Sequence, residues 1–223
     1  MSENNIKLDE RSLVQSGTLV QPGTLVQSGT LWQRIINQTE YALNCGALLS
    51  LPTLYEVVEQ DGVPFLVRIL ANLVRKQAAK AEQDKATRLG KDYNPFLPYE
   101  TDLFVADLSD THVCLLNKYN VVEHHILIIT RAFEPQESLL TLADFEALWH
   151  CLAEVEGLAF YNGGKDAGAS QRHKHLQIAP FPLTPNGNDI PITSIFPATI
   201  PSDEIITLPE LPFVHALTGL DPS

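Results

Sequence analysis

The sequence lacks the features that mark membrane-spanning, secreted and disulfide-linked proteins. No apolar run reaches the roughly 18–20 residues that a membrane-spanning helix needs, and the N-terminal Met-Ser-Glu-Asn-Asn does not resemble a signal peptide. There are only three cysteines, Cys45, Cys114 and Cys151, and no Cys-x-x-Cys pair. An odd number of widely spaced cysteines indicates reduced thiols rather than a disulfide framework or a zinc site. The sequence therefore predicts a cytoplasmic protein without a membrane partner.

Positive charge is also scarce in this chain. Lysine and arginine number 15 against 27 acidic residues, which gives a formal net charge of −12. This balance argues against general nucleic-acid binding, which needs a basic surface. A small polyanion needs only local positive charge, and residues 157–181 carry Lys165, Arg172 and Lys174 against Asp166 alone. We therefore predict a closed anion pocket formed by this segment.

The first thirty residues differ in composition from the rest. Leu-Val-Gln-Ser/Pro-Gly-Thr recurs there at six-residue intervals, and three copies are too few to bury the core of a β-helix. Residues 1–30 are therefore predicted to form a flexible or strand-like tail, which could pair with a sheet edge and favour a homo-oligomer. The remaining residues, 31–223, are predicted to form one domain with a buried core.

Hydrophobic periodicity predicts an α+β domain with a largely antiparallel β-sheet and packed helices. One helix runs from Leu31 to a C-cap at Gly46. A second, charged helix covers 71–90. A third helix follows the capping box Thr141–Asp144 and has an apolar stripe from Leu142 to Val155. Gln60-Asp-Gly62 predicts a hairpin, and Ile126-Leu-Ile-Ile129 a strand covered on both faces. The proline-rich stretch after Phe181 predicts irregular structure. Strands are predicted at Thr53–Glu59, Val63–Leu70, Leu103–Ala106, His112–Asn117, His125–Thr130, Leu158–Tyr161 and His173–Ala179.

The most informative segment is Gly168-Ala-Ser-Gln-Arg-His-Lys-His-Leu-Gln177. Side chains alternate along a strand, so His173, His175 and Gln177 should share one face. Two imidazoles and an amide aimed at one place suit nucleophilic attack on a phosphoryl group. The backbone N–H groups of Gly168, Ala169, Ser170 and Gln171 could hold the phosphate oxygens, because glycine lets a backbone approach an anion closely.

Two alternatives to a nucleophilic site stay open at this point. His-x-His on a strand is also a metal-ligand pattern, although spacing fixes no third ligand. A purely structural strand is the other alternative. The nearby Asn162-Gly-Gly-Lys-Asp166 is not a Walker loop, because Ala159 stands where a glycine is required and Asp166 where Ser or Thr should bind magnesium.

Longer stretches around the histidines resemble one known family. His173-Lys-His175-Leu-Gln177 is similar to the histidine-triad superfamily, in the branch where glutamine replaces the third histidine. Within that branch, Leu115–Gln136, Tyr161–Gln171, Asn94–Pro98 and Leu211–Ala216 resemble the ATP adenylyltransferases, also called diadenosine tetraphosphate (Ap4A) phosphorylases. The resemblance covers roughly residues 50–223 and implies a HIT-like fold.

The resemblance implies phosphorolysis of Ap4A to ATP and ADP, and the reverse adenylyl transfer, through an adenylyl-histidine. His175 corresponds to the nucleophile, His173 to a residue that orients it, and Gln177 and Ser170 to groups that stabilise charge on the α-phosphate. The implied partners are dinucleoside polyphosphates, ATP, ADP and inorganic phosphate. Histidine needs no metal to act as a nucleophile, so no obligatory cofactor is expected, although Mg²⁺ can accompany the nucleotide. The nucleotide-binding and phosphate-binding candidates are Asn94, Lys118, Asn162, Gly168, Ala169, Ser170, Gln171 and Gln177, with Arg68 a more distant candidate.

The sequence departs from the family pattern in two places. Family members usually have a further C-terminal segment that helps to form the nucleotide site, whereas this sequence stops at Ser223, and Arg172 stands where proline is expected. A nucleotide-binding half-protein that needs a separate C-terminal partner chain is therefore an alternative to an independent enzyme. A hexose-1-phosphate nucleotidyltransferase, which shares the His-x-His-x-Gln arrangement, is another.

Overall fold

The structure of this chain, a computed structural model, describes residues 29–70, 93–184, 190–202 and 204–220. The hexapeptide repeats and the helix predicted over 71–90 lie outside these residues, and the division into a tail and a domain stays a prediction. Among the described residues, no helix has the length and apolar character needed to cross a membrane.

The described residues form an α+β domain around an antiparallel five-stranded sheet, which confirms the predicted fold class. The helices and strands in chain order are α1 (Leu31–Cys45), β1 (Thr53–Gln60), β2 (Val63–Leu70), β3 (Phe104–Asp107), β4 (His112–Leu116), β5 (Ile126–Thr130), α2 (Leu142–Leu152), β6 (Gly157–Phe160) and β7 (His175–Pro180). The strands of the five-stranded sheet lie in the order β3-β4-β5-β7-β6, and β1 and β2 form a separate two-stranded hairpin.

Local signals in the sequence place the first elements correctly. Helix α1 begins after Thr30, whose side chain accepts a hydrogen bond from the Gln33 N–H, and ends at the predicted C-cap Gly46. The β1–β2 turn has φ of 53° at Asp61 and 79° at Gly62. Positive φ at both central residues is the signature of the type I′ turn that joins two strands of right-handed twist. After Phe181 the described residues form a short 3₁₀ helix, Pro191–Ile195, and isolated bridges such as the one between Ile206 and Leu217, as the prolines predict.

The two faces of the five-stranded sheet have different coverings. On one face, Ile126, Ile128, Leu176 and Ile178 pack with the two helices. On the other face, a smaller apolar cluster contains Val113, Leu115, Leu127, Ile129 and Phe96. Strands β4 and β5 are buried at every position, so the prediction that Ile126–Ile129 is covered on both faces is confirmed.

Helix α2 buries only part of the apolar stripe that the sequence predicts. The capping box of Thr141 and Asp144 is present, but Leu142, Phe145 and Trp149 are exposed, and the helix ends at Leu152. Its buried residues are Asp144, Ala147 and Cys151. Leu148, Leu152 and Val155 of the predicted stripe pack against the core, so the prediction of an apolar stripe from Leu142 to Val155 is confirmed for these residues and wrong for the three exposed ones.

Candidate functional site

The two histidines of the motif lie together on the face opposite the helices. His175 is the first residue of β7 and pairs with Ile129 of β5, while His173 precedes the strand and forms an isolated bridge with Pro135. Both imidazole rings contact Phe96, with ring centroids 5.6 Å away for His173 and 5.4 Å for His175. The shared face that strand alternation predicts for these two side chains is confirmed.

The backbone fixes the protonation pattern of the His175 ring. Its Nδ1 lies 2.7 Å from the carbonyl oxygen of His173, and because a carbonyl only accepts, Nδ1–H must donate. The lone pair of the neutral ring is therefore on Nε2. His175 is 4% exposed, and this burial lowers the pKa of its imidazole below the usual value. The ring is thus neutral near pH 7, with one nitrogen held and the other able to attack an electrophile.

His173 is held from both of its ring nitrogens. Its Nδ1 accepts a hydrogen bond from the Asn94 side-chain amide at 2.9 Å, and its Nε2–H donates to the Thr130 carbonyl at 2.8 Å. Burial lowers the pKa of this imidazole as well. With both nitrogens occupied, His173 is suited to orient His175. The candidate nucleotide-binding residue Asn94 contacts His173 directly.

The glycine turn between β6 and β7 requires glycine at one position in particular. Gly164 has φ of 100° and ψ of −177°, a region that only glycine adopts readily. A Cβ there would also lie 2.9 Å from Cγ of Glu137. The turn therefore depends on Gly164 for its shape.

The free polar groups of this turn are fewer than the sequence predicts. The N–H of Gly168 donates to the Lys165 carbonyl and that of Ala169 to the Gly164 carbonyl, both at 3.0 Å. Among the described residues, Ser170 and the side chain of Asn162 make no hydrogen bond. In this conformation the turn offers a ligand Ser170 and the Asn162 amide, and binding through Gly168 and Ala169 stays a prediction, as it does for Gln171.

Gln177 continues the histidine face along β7. It pairs with Leu127 on one side and Phe160 on the other, and His125 lies next to this pair. His125 is 6% exposed, and burial lowers the pKa of its imidazole to about 4. The face therefore presents neutral imidazoles and an amide.

Lys174 does not contribute positive charge to this face. Its side chain is fully buried on the helix side of β7, where Nζ donates to Asp144 Oδ2 at 2.6 Å, to the Leu139 carbonyl at 3.1 Å and to Glu134 Oε2 at 3.2 Å. The same alternation that groups the histidines sends Lys174 to the opposite side. The expectation that it helps to hold an anion beside His175 is therefore wrong.

The ion pair below the strand is part of a buried polar cluster. Asp144 also accepts from Thr141 N–H at 2.6 Å, and its Oδ1 lies 3.0 Å from His112 Nε2. Burial alone would raise the pKa of the Asp144 carboxyl, but the bonds from Lys174, Thr141 and His112 outweigh it and lower the pKa to about 2. Asp144 is thus a stable carboxylate under the sheet.

Arg68 and Lys118 each hydrogen bond to residues other than the motif histidines. The Arg68 guanidinium donates to the carbonyls of Val121 and Leu183 and to Thr53 Oγ1, which links the hairpin to segments at one end of the sheet. Lys118 donates to both carboxylate oxygens of Glu100 at 2.5 and 2.7 Å. Both cations already have partners, so their predicted contacts with phosphate stay predictions.

Sequence patterns do not single out three residues that hold the site together. Phe96 packs against both imidazoles, Thr130 accepts from His173, and the buried Gln136 hydrogen bonds to the backbone of His175. Phe96 and Gln136 fall inside stretches that resemble the family, yet nothing in their spacing indicates these contacts. Among the described residues, no group of three His, Cys, Asp or Glu side chains could hold a metal ion.

Comparisons with known proteins agree with this geometry. The family model described as "Ap4A phosphorylase N-terminal domain" matches residues 21–198. The diadenosine 5',5'''-P1,P4-tetraphosphate phosphorylase 2 of Saccharomyces cerevisiae is 33% identical over 137 residues, and Protein APA1 of the same yeast is 28% identical over 130 residues. These matches cover 55% of this chain and 41% and 40% of the two yeast proteins.

Solved structures of a yeast protein share the fold. The crystal structure of yeast Ap4A phosphorylase Apa2 superposes with a TM-score of 0.57 at 28% identity, covering 70% of this chain and 48% of that one. The structure of Apa2 in complex with Ap4A gives a TM-score of 0.57 at 25% identity, covering 70% and 52%. The chain thus spans about two fifths of the length of its curated relatives and about half of these crystallised chains.

Proposed function

The chain belongs to the Ap4A phosphorylase N-terminal domain family, and from that premise we propose that it is a nucleotidyltransferase that converts Ap4A and phosphate into ATP and ADP. The reaction passes through an adenylyl group on His175, and its reverse transfers the adenylyl group to a nucleotide. The yeast relative Apa2 has been crystallised with AMP and with Ap4A. Dinucleoside polyphosphates, ATP, ADP and inorganic phosphate are the proposed ligands of this chain.

One observation carries this proposal. The hydrogen bond from His175 Nδ1–H to the His173 carbonyl, at 2.7 Å, places the lone pair of the neutral ring on Nε2. An imidazole held in one tautomer, with its pKa lowered by burial, is a nucleophile that is ready near pH 7. As Nε2 forms a bond to phosphorus, positive charge develops on the ring, and the same carbonyl stabilises it through Nδ1–H.

In the first step Nε2 of His175 bonds to the α-phosphorus of Ap4A. The bond from that phosphorus to the bridging oxygen breaks, and ATP leaves with the electron pair as an anion that needs no proton. In the second step an oxygen of inorganic phosphate bonds to the same phosphorus, the P–N bond breaks, and ADP leaves. His175 regains its lone pair, so atoms and charge balance over the cycle.

The neighbouring polar groups have proposed roles on the nucleotide. Gln177, Asn162 and Ser170 are proposed to donate to the α-phosphate oxygens, a kind of contact that contributes roughly 2.7–4 kcal/mol per donor in comparable sites. His173 orients His175 through its carbonyl. No resident metal is proposed, because each of these contacts is made by the chain, and Mg²⁺ would arrive with the nucleotide.

The direct test follows the adenine through the reaction. The purified 223-residue chain is incubated with Ap4A labelled in the adenine, with and without phosphate, and the products are separated. Without phosphate the chain should keep one adenylyl group on the peptide that contains His175, and phosphate should release it as ADP. AMP as the sole product at saturating phosphate would identify a hydrolase instead.

Two histidine variants assign the nucleophile. His175→Ala should abolish labelling, and free imidazole should restore turnover to His175→Gly. His150→Ala is the matched control, because His150 is exposed on α2, and it should label as the wild type does. Labelling of His175→Ala would refute the assignment.

Two further arms test the alternatives that share this motif. A UDP-sugar replaces Ap4A to detect a hexose-1-phosphate nucleotidyltransferase. The C-terminal half of the yeast relative, added as a separate chain, tests the need for a partner segment. We expect weak activity from the chain alone, since the nucleophile and the residues that hold it are present here, and a rise when the C-terminal half is added.

We also propose a cytoplasmic location, consistent with three free cysteines.

A further inference from the structure

Gln136 lies between the nucleophile and the glycine turn. Its side chain is fully buried, and its primary amide bonds only to backbone atoms. Oε1 accepts from the N–H of His175 at 2.8 Å, while Nε2 donates to the carbonyls of His175 at 3.2 Å and Asn162 at 2.8 Å. Gln136 itself is anchored through its own backbone, which donates to the Arg172 carbonyl at 2.9 Å and accepts from Tyr161 Oη at 2.5 Å.

The position of this amide follows from the way β6 and β7 separate. Their antiparallel register runs from Gly157 opposite Pro180 to Phe160 opposite Gln177. Continued by two residues, the register would place Asn162 opposite His175. The strands have parted at that point, and the Gln136 amide occupies the gap, bonded to both backbones. It replaces the strand that His175 would otherwise pair with on this side.

We propose that Gln136 is a positioning residue that fixes the spacing between the His175 nucleophile and the phosphate-binding turn that begins at Asn162. This inference rests on the proposed function of the site. His175 is held by β5 on one side, through its pairing with Ile129, and by Gln136 on the other. The Asn162 amide and Ser170, which are proposed to bind the α-phosphate, are on the chain segment that the same glutamine holds.

Only an amide side chain satisfies all three backbone partners. The position needs one acceptor for the His175 N–H and two donors for the two carbonyls, which is the hydrogen-bonding capacity of glutamine. Methionine has a similar length but makes none of these bonds. Glutamate keeps the acceptor, but its ionised second oxygen faces the two carbonyl oxygens, and repulsion should push the turn away from the nucleophile.

A purely structural glutamine would affect stability alone, and the chain contains a matched control. Gln38 on α1 is also buried, at 7% exposure, and donates from Nε2 to the Asp102 carbonyl at 2.6 Å. It lies on the helix side of the sheet. Gln38→Met should therefore cost stability as Gln136→Met does, because each leaves a backbone carbonyl without its donor, but it should leave the nucleophile in place.

The experiment compares Gln136→Met, Gln136→Glu and Gln38→Met in the full chain at a temperature where each is shown to be folded. At saturating Ap4A, Gln136→Met should slow adenylylation of His175 by about 100-fold, the loss expected from a displacement of roughly 1 Å, with little change in Ap4A affinity. Gln38→Met should react at the wild-type rate. For Gln136→Glu, the rate relative to wild type should rise between about pH 8 and about pH 6 as the buried carboxyl is protonated and becomes a donor.

A measurement without substrate separates this inference from the proposed function. In the resting chain, nitrogen NMR should show one tautomer for the His175 ring and slow exchange of its backbone N–H. Gln136→Met should mix the tautomers and speed that exchange, whereas Gln38→Met should not.

A wild-type chain that never acquires an adenylyl group would refute the proposed function, yet these spectra would still test Gln136. A wild-type rate in Gln136→Met, an equal slowing in Gln38→Met, or unchanged spectra would overturn the inference.

Discussion

Replacing Lys174 by methionine should strongly destabilise the fold, even though the residue lies between the two histidines of the motif. The ammonium group is fully buried and bonds to Asp144 at 2.6 Å. Methionine fills a similar volume but leaves the Asp144 carboxylate without its closest cation. Removing one partner of a buried ion pair costs about 3–5 kcal/mol. A typical domain is stable by only about 5–15 kcal/mol, so this variant should remain folded by a small margin.

Urea unfolding near pH 7, followed by tryptophan fluorescence, measures this loss. Lys165→Met is the matched control, since Lys165 is an exposed lysine of the same segment, and it should change the free energy of unfolding by less than about 0.5 kcal/mol. The slope of the free energy against urea should be the same in both variants, because the exposed area on unfolding is unchanged. A loss below about 1 kcal/mol in Lys174→Met would show that the buried pair contributes much less than its geometry suggests.

Acid titration adds a second readout for the same variant. In the folded wild type the Asp144 pKa falls from 3.8 to about 2, and each unit corresponds to about 1.36 kcal/mol. This carboxylate therefore contributes up to about 2 kcal/mol of stability, present above pH 3.8 and lost as the pH falls through 2. Lys174→Met should raise the Asp144 pKa and so reduce the stability that is lost in acid. An unchanged loss of stability in acid would contradict its assignment to the ion pair.

Three further predictions concern buried or strained positions. Burial lowers the folded-state pKa of His125 from 6.5 to about 4, so the unfolded chain takes up the proton first, and up to about 3 kcal/mol of stability should be lost as the pH falls from 6.5 to 4; urea unfolding across this pH range should show a flatter profile for His125→Asn. Gly164→Ala should cost about 1–3 kcal/mol for its backbone conformation, measured by thermal unfolding, whereas Gly163→Ala, with its nearest atom at 3.8 Å, should cost little. Thr141→Ala should lower stability by about 0.5–2 kcal/mol through loss of a helix cap, and by more than Thr30→Ala, because Thr141 also bonds to a buried carboxylate; equal losses in denaturant unfolding would argue against that added bond.

Features that depend on neighbouring residues in sequence could be predicted. The caps of α1, the capping box of α2 and the turn at Asp61 and Gly62 each follow from a few adjacent side chains. The apolar run of β5 predicted its double covering, and alternation placed His173 and His175 on one face. The family resemblance, carried by stretches that include these histidines, predicted the fold and underlies the proposed chemistry.

Features that depend on distant contacts could not be predicted from the sequence. The buried face of α2 is set by Asp144, whose bond to Lys174 joins residues 30 positions apart. The Gln136 amide reaches His175 across 39 positions. Periodicity describes one element at a time, so it cannot show that a charged side chain will be drawn inward or that a glutamine will replace a strand partner.

The segment from His173 to His175 links the stability of the fold to the geometry of the site. Alternation sends Lys174 into the buried ion pair beneath the sheet, while the flanking imidazoles stay on the opposite face. The carbonyl that holds the His175 ring belongs to His173, so the peptide groups on either side of Lys174 set the direction of the nucleophile. An anchored lysine at the centre of this segment limits how far that backbone can shift when nucleotide binds. Lys174, which the sequence predicts to bind an anion, is instead proposed to restrain the strand that carries the nucleophile.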